Sequence, residues 1–216
     1  MQSSEAVGYL GKTVEDLYGR SIGVLAGFSL KTNGDVESLG VDQGCGSFAE
    51  VKSTRIVLHD QAVIVVPMWK ADVTRTSGEM VVLRKRISAL RELERDSNEG
   101  GPASAAQYEQ LRTQYETRAA KIQESSEKIL QEMKSRLEEL DQHDQAVAKL
   151  LVNVNIQFRS GEISDATFGV ISDHCAAIKA RNAKEREELT TAQAMLSPND
   201  EEGRPIEIQV PVSGAN

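Results

Sequence analysis

The sequence predicts an α+β protein: a small N-terminal β-barrel, then long coiled-coil helices folded as a helical hairpin, then an extended C-terminal tail. Three observations predict it. Five of the nine aromatics (Tyr9, Tyr18, Phe28, Phe48 and Trp69) and nine glycines fall within the first 70 residues. A seven-residue apolar repeat runs from Tyr115 to Val154, which a coiled coil requires. Near the end, Ile206, Ile208, Val210 and Val212 alternate with Glu207, Gln209 and Pro211, the period of a half-buried strand.

Residues 1–70 form the first predicted domain. Short apolar runs separated by glycine turns give strands over Ser21–Leu30, Val36–Val41, Phe48–Lys52, Ile56–Leu58 and Ala62–Val66. Asn33-Gly34 is a strong hairpin turn, and His59-Asp60-Gln61 reads as another tight turn. A domain of this size is marginal alone, and closing it into a barrel would remove its exposed edges.

Residues 71–196 read as helical coiled coil. Thr76-Ser77-Gly78-Glu79 has the form of a capping box opening a helix. Met80, Leu83, Ile87 and Leu90 follow at helical spacing, and a break falls near 96–102, with Pro102 suited to the first turn of the next helix. From there to Phe158 the heptads run: Ala119, Ser126, Met133, Leu140, Val147 and Val154, with the companion series Tyr115, Ile122, Ile129, Arg136, His143 and Leu150. Arg136 and His143 are polar intrusions, so either they set register and partner choice or the seam shifts to Leu137 and Leu151. A turn near 159–164 leads, through Ser164 or Asp165 as cap, into a helix carrying Phe168, Ile171, Cys175, Ile178, Asn182, Leu189, Ala192 and Leu196 on one face. The bland outcome of this pattern is an intramolecular hairpin. The functional one is self-association through Tyr115, Ile122, Ile129, Met133, Leu140, Val147, Leu150 and Val154, because a two-helix hairpin leaves a long face uncovered.

Residues 197–216 form a flexible tail holding a partner-binding strand: Arg204, Pro205, Ile206, Ile208, Val210, Pro211 and Val212. Such a strand can add to a partner's sheet, the backbone giving affinity and the alternate apolar side chains specificity. A disordered tail with chance alternation is the other reading.

Composition narrows the chemistry. A net charge of −8 over 216 residues disfavours nucleic-acid binding through bulk positive charge, and no secretory signal or membrane span is expected. Two distant cysteines and three histidines supply neither a disulfide scaffold nor a metal site, and a reducing compartment fits them. Cys45 in its glycine-rich turn has no fixed base, and Asp173-His174-Cys175 point apart on a helix, so neither makes a catalytic constellation. We expect no enzyme, cofactor or metal. The one basic region, Arg84, Lys85, Arg86 and Arg91, is a possible phosphate or lipid contact, although Glu92 and Glu94 make an ion-paired solvated face the plainer reading.

The segment Val14 to Leu25, with Gly19-Arg20-Ser21-Ile22-Gly23 as a turn into a strand, resembles the opening of a PRC-barrel. That barrel, then a long coiled coil, then a Pro-flanked apolar tail resembles the CdvA family of archaeal cell-division proteins. The resemblance implies a cytoplasmic filament-forming scaffold, membrane-associated at the inner face of the division site, that acts without catalysis. It also implies that Arg204 to Val212 bind the winged-helix domain of an ESCRT-III homologue. The alternative is a PRC-barrel adaptor binding nucleic acid or ribosome-associated partners. Against it, the first 70 residues hold six Lys/Arg and eight Asp/Glu.

Overall fold

The computed structural model describes residues 2–59, 62–97 and 105–196. By internal contacts the chain divides into two compact units. Among the described residues, one comprises 2–59, 62–71 and 135–189, and the other 72–97, 105–134 and 190–196.

The first unit opens with a short helix α1 (Ser3–Val7) and a six-stranded sheet. Its strands are β1 (Thr13–Asp16), β2 (Ser21–Leu30), β3 (Val36–Gly44), β4 (Ser47–Lys52), β5 (Ile56–His59) and β6 (Ala62–Val65), in the spatial order β4-β3-β2-β1-β6-β5. All pairings are antiparallel except β1 with β6. Ala6, Val14, Leu25, Val36, Leu39, Val41, Val51, Val63 and Val65 form its core, mostly small β-branched residues that pack on a pleated surface. Gly23 is required where β2 crosses β3, because a Cβ there would sit 2.2 Å from the Asp42 carbonyl oxygen.

Two sequence expectations are corrected in the sheet. The barrel does not close: β4 and β5 are its two edges. A single 3-10 turn, Ser53–Arg55, joins them, and the Arg55 carbonyl accepts from Val66 N–H at 2.7 Å while Arg55 Nε donates to the Val66 carbonyl at 2.9 Å. Those bonds fix the turn against the end of β6 rather than in a ladder between the edges. The sheet also has six strands, not five. Thr13–Asp16 carries one fully buried apolar residue, Val14, too short a pattern to register as a strand. The Asn33-Gly34 turn is present, with Gly34 N–H donating to Lys31 O at 3.0 Å. His59 pairs with Ala62, while Asp60 and Gln61 between them lie outside the described residues.

Helix α2 (Met68–Ser97) starts well ahead of the expected capping box. Trp69, Val73, Thr76, Met80, Leu83, Ile87 and Leu90 form one buried stripe at alternating spacings of four and three. Thr76 is therefore a buried mid-helix residue, and the Ser77 hydroxyl donates back to the Thr74 carbonyl at 3.3 Å. Pro67, with its fixed φ and no N–H to lose, suits the helix entry. The Gly100-Gly101 break and Pro102 lie outside the described residues.

Helix α3 (Ala105–Arg159) and helix α4 (Asp165–Leu196) follow. In the second unit α2 and α3 run antiparallel: Arg112 pairs with Glu94, Arg118 with Glu79, and the Ser126 hydroxyl approaches the Met80 sulfur. In the first unit α3 and α4 form an antiparallel hairpin, as the pairs Arg136–Glu185, Asp144–Asn182 and Phe158–Phe168 require. A Schellman motif ends α3. Gly161 (φ 78°) donates to Phe158 O at 3.0 Å and Glu162 to Gln157 O at 2.9 Å. Ser164 caps α4 by accepting from Thr167 N–H at 3.2 Å. No helix among the described residues is long and apolar enough to cross a membrane.

Candidate functional site

The densest polar constellation lies in the first unit, where the β1–β2 turn meets the α3–α4 hairpin. It grows from two sequence facts. The α4 stripe Cys175, Asn182, Glu185 and Leu189 carries two polar residues in its middle, and both are almost wholly buried. The α3 seam carries Arg136 and His143 at the matching level, and the polar residues of one helix answer those of the other. Arg136 Nε donates to Glu185 Oε1 at 2.7 Å and its Nη2 to Oε2 at 3.1 Å, a two-pronged pair. Asn182 Nδ2 donates to Asp144 Oδ1 at 2.6 Å and meets His143 Nδ1 at 3.2 Å, which makes that ring nitrogen the acceptor. Arg186 closes the row on Asp141 at 2.5 Å and Asp144 at 3.0 Å.

The sheet reaches this row through the turn Asp16 to Arg20. Asp16 Oδ1 accepts from the backbone N–H groups of Tyr18 (2.8 Å) and Arg20 (2.9 Å), which shapes the turn. Arg20 then donates to Glu185 Oε2 and, at 3.0 Å, to Asn182 Oδ1. Tyr18, its ring 5.3 Å under the Arg20 guanidinium, donates its hydroxyl to Glu188 Oε2 at 3.0 Å. Lys70 donates to the same oxygen at 2.8 Å.

The electrostatics follow from burial and pairing. Burial works to raise the Glu185 carboxyl, but hydrogen bonds from Arg136 and Arg20 outweigh it and hold it below the usual carboxylate range. Burial likewise opposes Glu188, and Lys70 and Tyr18 still hold it low. The Tyr18 phenol is pushed well up, by burial first and by its bond to the Glu188 carboxylate second. Every strong donor here faces an acceptor, so the arrangement is chemically quiet. It holds no poised base or activated nucleophile; it is a charged clamp between sheet and hairpin.

The predicted site residues fall elsewhere. Ile122, Ile129, Met133, Leu140, Val147 and Val154 are buried within the chain, Tyr115 is half-buried, and Leu150 is 49% exposed. Lys85, Arg86 and Arg91 face solvent on α2 and Arg84 is half-buried. Arg204, Pro205, Ile206, Ile208, Val210, Pro211 and Val212 lie outside the described residues. Among the described residues, no three of His, Cys, Asp and Glu stand close enough to hold a metal ion. Glu185 and Arg20 escaped the sequence reading as partners. The available signal was Arg136 itself: folding the chain about Gly161 brings α4 near residue 185 opposite it.

A family model described as the CdvA-like coiled-coil domain matches residues 68–215. The chain belongs to the CdvA family. The match takes in α2, α3, α4 and the tail. It leaves the sheet outside. "Cell division protein A" of Sulfolobus acidocaldarius is 24% identical over 197 residues, covering 90% of this chain and 79% of the relative. That alignment is longer than the helices and tail can supply, so the CdvA relative's likeness extends into the sheet.

Proposed function

We propose that the chain is a non-catalytic scaffold of archaeal cell division. It assembles with copies of itself at the inner membrane face of the division site and captures an ESCRT-III homologue through Arg204 to Val212. The observation that carries this reading is the family match, which spans residues 68–215 and so takes in both the helices and that tail. The name of the Sulfolobus relative supports the division role.

Self-association in this reading does not need the buried seam. Leu150 (49% exposed), Val152 (60%), Ile156 (60%) and Val170 (70%) leave apolar surface open near the α3–α4 turn. By the hairpin register set by Phe158 and Phe168, Val170 stands level with Ile156.

The tail is tested by replacing Ile208 with Asp and measuring binding to a winged-helix domain of an ESCRT-III homologue. A carboxylate in an apolar partner groove is costly, so affinity falls while assembly of the chain stays intact. Unchanged affinity removes strand addition as the mode of capture.

A further inference from the structure

A groove between α2 and α3 in the second unit has the chemistry of an anion site. Its larger part has a volume of about 640 Å³ and is lined by Arg75, Gly78, Val82, Arg86, Tyr115 and Arg118, among others. A smaller part of about 210 Å³ shares Arg75, Glu79 and Arg118 and adds Lys121. The larger volume falls in the range of small-ligand sites. Four cations, Arg75, Arg86, Arg118 and Lys121, therefore face the single carboxylate of Glu79 among the lining residues, in a chain whose net charge is −8.

The pairing of these cations is incomplete. Arg118 meets Glu79 at 3.0 Å with 61% of its side chain exposed, and Arg75 meets Asp72 at 2.8 Å with 65% exposed. Both pairs are solvated and easily rearranged. Arg86 and Lys121 are exposed and have no ion pair among the described residues.

Gly78 is an independent sign. It sits inside a 30-residue helix, where glycine is the least favourable residue after proline. A Cβ built there meets nothing within 4 Å. No close helix approach explains the glycine, which stands exposed on the groove wall. Val82 and the half-buried Tyr115 ring supply an apolar wall beside the cations.

We propose that this groove binds a small phosphate-bearing ligand, its phosphates held by Arg86, Arg118 and Lys121 and its apolar part lying along Tyr115 and Val82. A free polyphosphate and a nucleoside triphosphate share that chemistry. The groove is open to solvent but concave, with the Tyr115 ring on one wall, which favours a small ligand over a flat membrane surface. The site stands apart from the scaffold reading, and either holds without the other.

The test is calorimetric titration of the full chain with inorganic tripolyphosphate and, separately, with ATP. Saturable binding of either is expected. Charge-assisted hydrogen bonds are worth enough that each of Arg86→Gln and Lys121→Gln weakens binding about tenfold or more. Gly78→Leu fills the groove and abolishes binding without unfolding the helix. Tighter binding of ATP assigns the nucleotide, and equal binding assigns a free polyphosphate. No binding of either, equal affinity in the variants, or binding only to duplex DNA or to vesicles of anionic phospholipid overturns the proposal.

Discussion

Arg20 and Glu185 are 165 positions apart in the chain, yet the Arg20 guanidinium donates to the buried Glu185 carboxylate. Glu185 accepts from Arg136 as well, so one carboxylate on α4 ties the sheet's first hairpin turn to α3. The turn that resembles a PRC-barrel opening is thus also the foot by which the sheet grips the helices.

Removing that carboxylate takes the buried partner from two arginines, leaving Arg20 with Asp16 and Arg136 with Glu139. Glu185→Ala is expected to destabilise the protein by about 2–4 kcal/mol, somewhat below the range for a fully buried pair because Arg136 is 36% exposed. Glu188→Gln, whose partner Lys70 is 44% exposed, should cost less than about 1 kcal/mol. Urea unfolding of both variants checks the contrast, and equal losses would refute the central place of Glu185.

Acid should loosen the clamp. The carboxyls of Glu185 and Glu188 are held lower in the folded protein than in the unfolded chain. Their contribution is then complete above the ordinary glutamate pKa of about 4.3 and is lost as pH falls through the depressed folded values. Stability followed by denaturant midpoint should show no loss from these groups between pH 8 and 5. It should decline below, and more shallowly in Glu185→Gln.

Two glycines should respond in opposite directions to alanine. Gly78→Ala places a methyl in open space and removes a mid-helix glycine, for a gain of about 1 kcal/mol. Gly23→Ala drives a Cβ to 2.2 Å from the Asp42 carbonyl and should lower the melting temperature. Thermal melts of the pair decide it.

The two cysteines should separate cleanly. Cys45 is exposed in the β3–β4 turn, and Cys175 is buried on the α4 stripe. A thiol reagent should modify one equivalent in the native protein and two in denaturant. Fast reaction of both in the native protein would mean that the hairpin seam opens readily.

Much of the architecture is legible because it rests on local patterns. Ser21–Leu30 is predicted and observed with the same limits, since glycine turns and alternating apolar residues bound it on both sides. Of the heptad positions, Ile122, Ser126, Ile129, Met133, Leu140, Val147 and Val154 are buried, because a helix buries what repeats on one stripe, while Arg136 is half-buried and His143 and Leu150 are exposed. What local patterns do not carry is the partner. Arg136 and His143 are visible as intrusions, but their match in Asn182 and Glu185 depends on where the chain reverses. The same limit explains the capping box at Thr76. The motif is correct in form, but Trp69 and Val73 continue the buried stripe upstream and carry the helix through it. Barrel closure failed for a similar reason, since edge pairing depends on the Ser53–Arg55 turn rather than on strand composition.

The scaffold reading is tested most directly by negative-stain electron microscopy of the full chain beside a chain ending at Leu196. Elongated assemblies from both are predicted, because assembly is placed in the helices and the tail is reserved for the partner. Discrete monomer-sized particles from both, at high protein concentration and low salt, would contradict the scaffold.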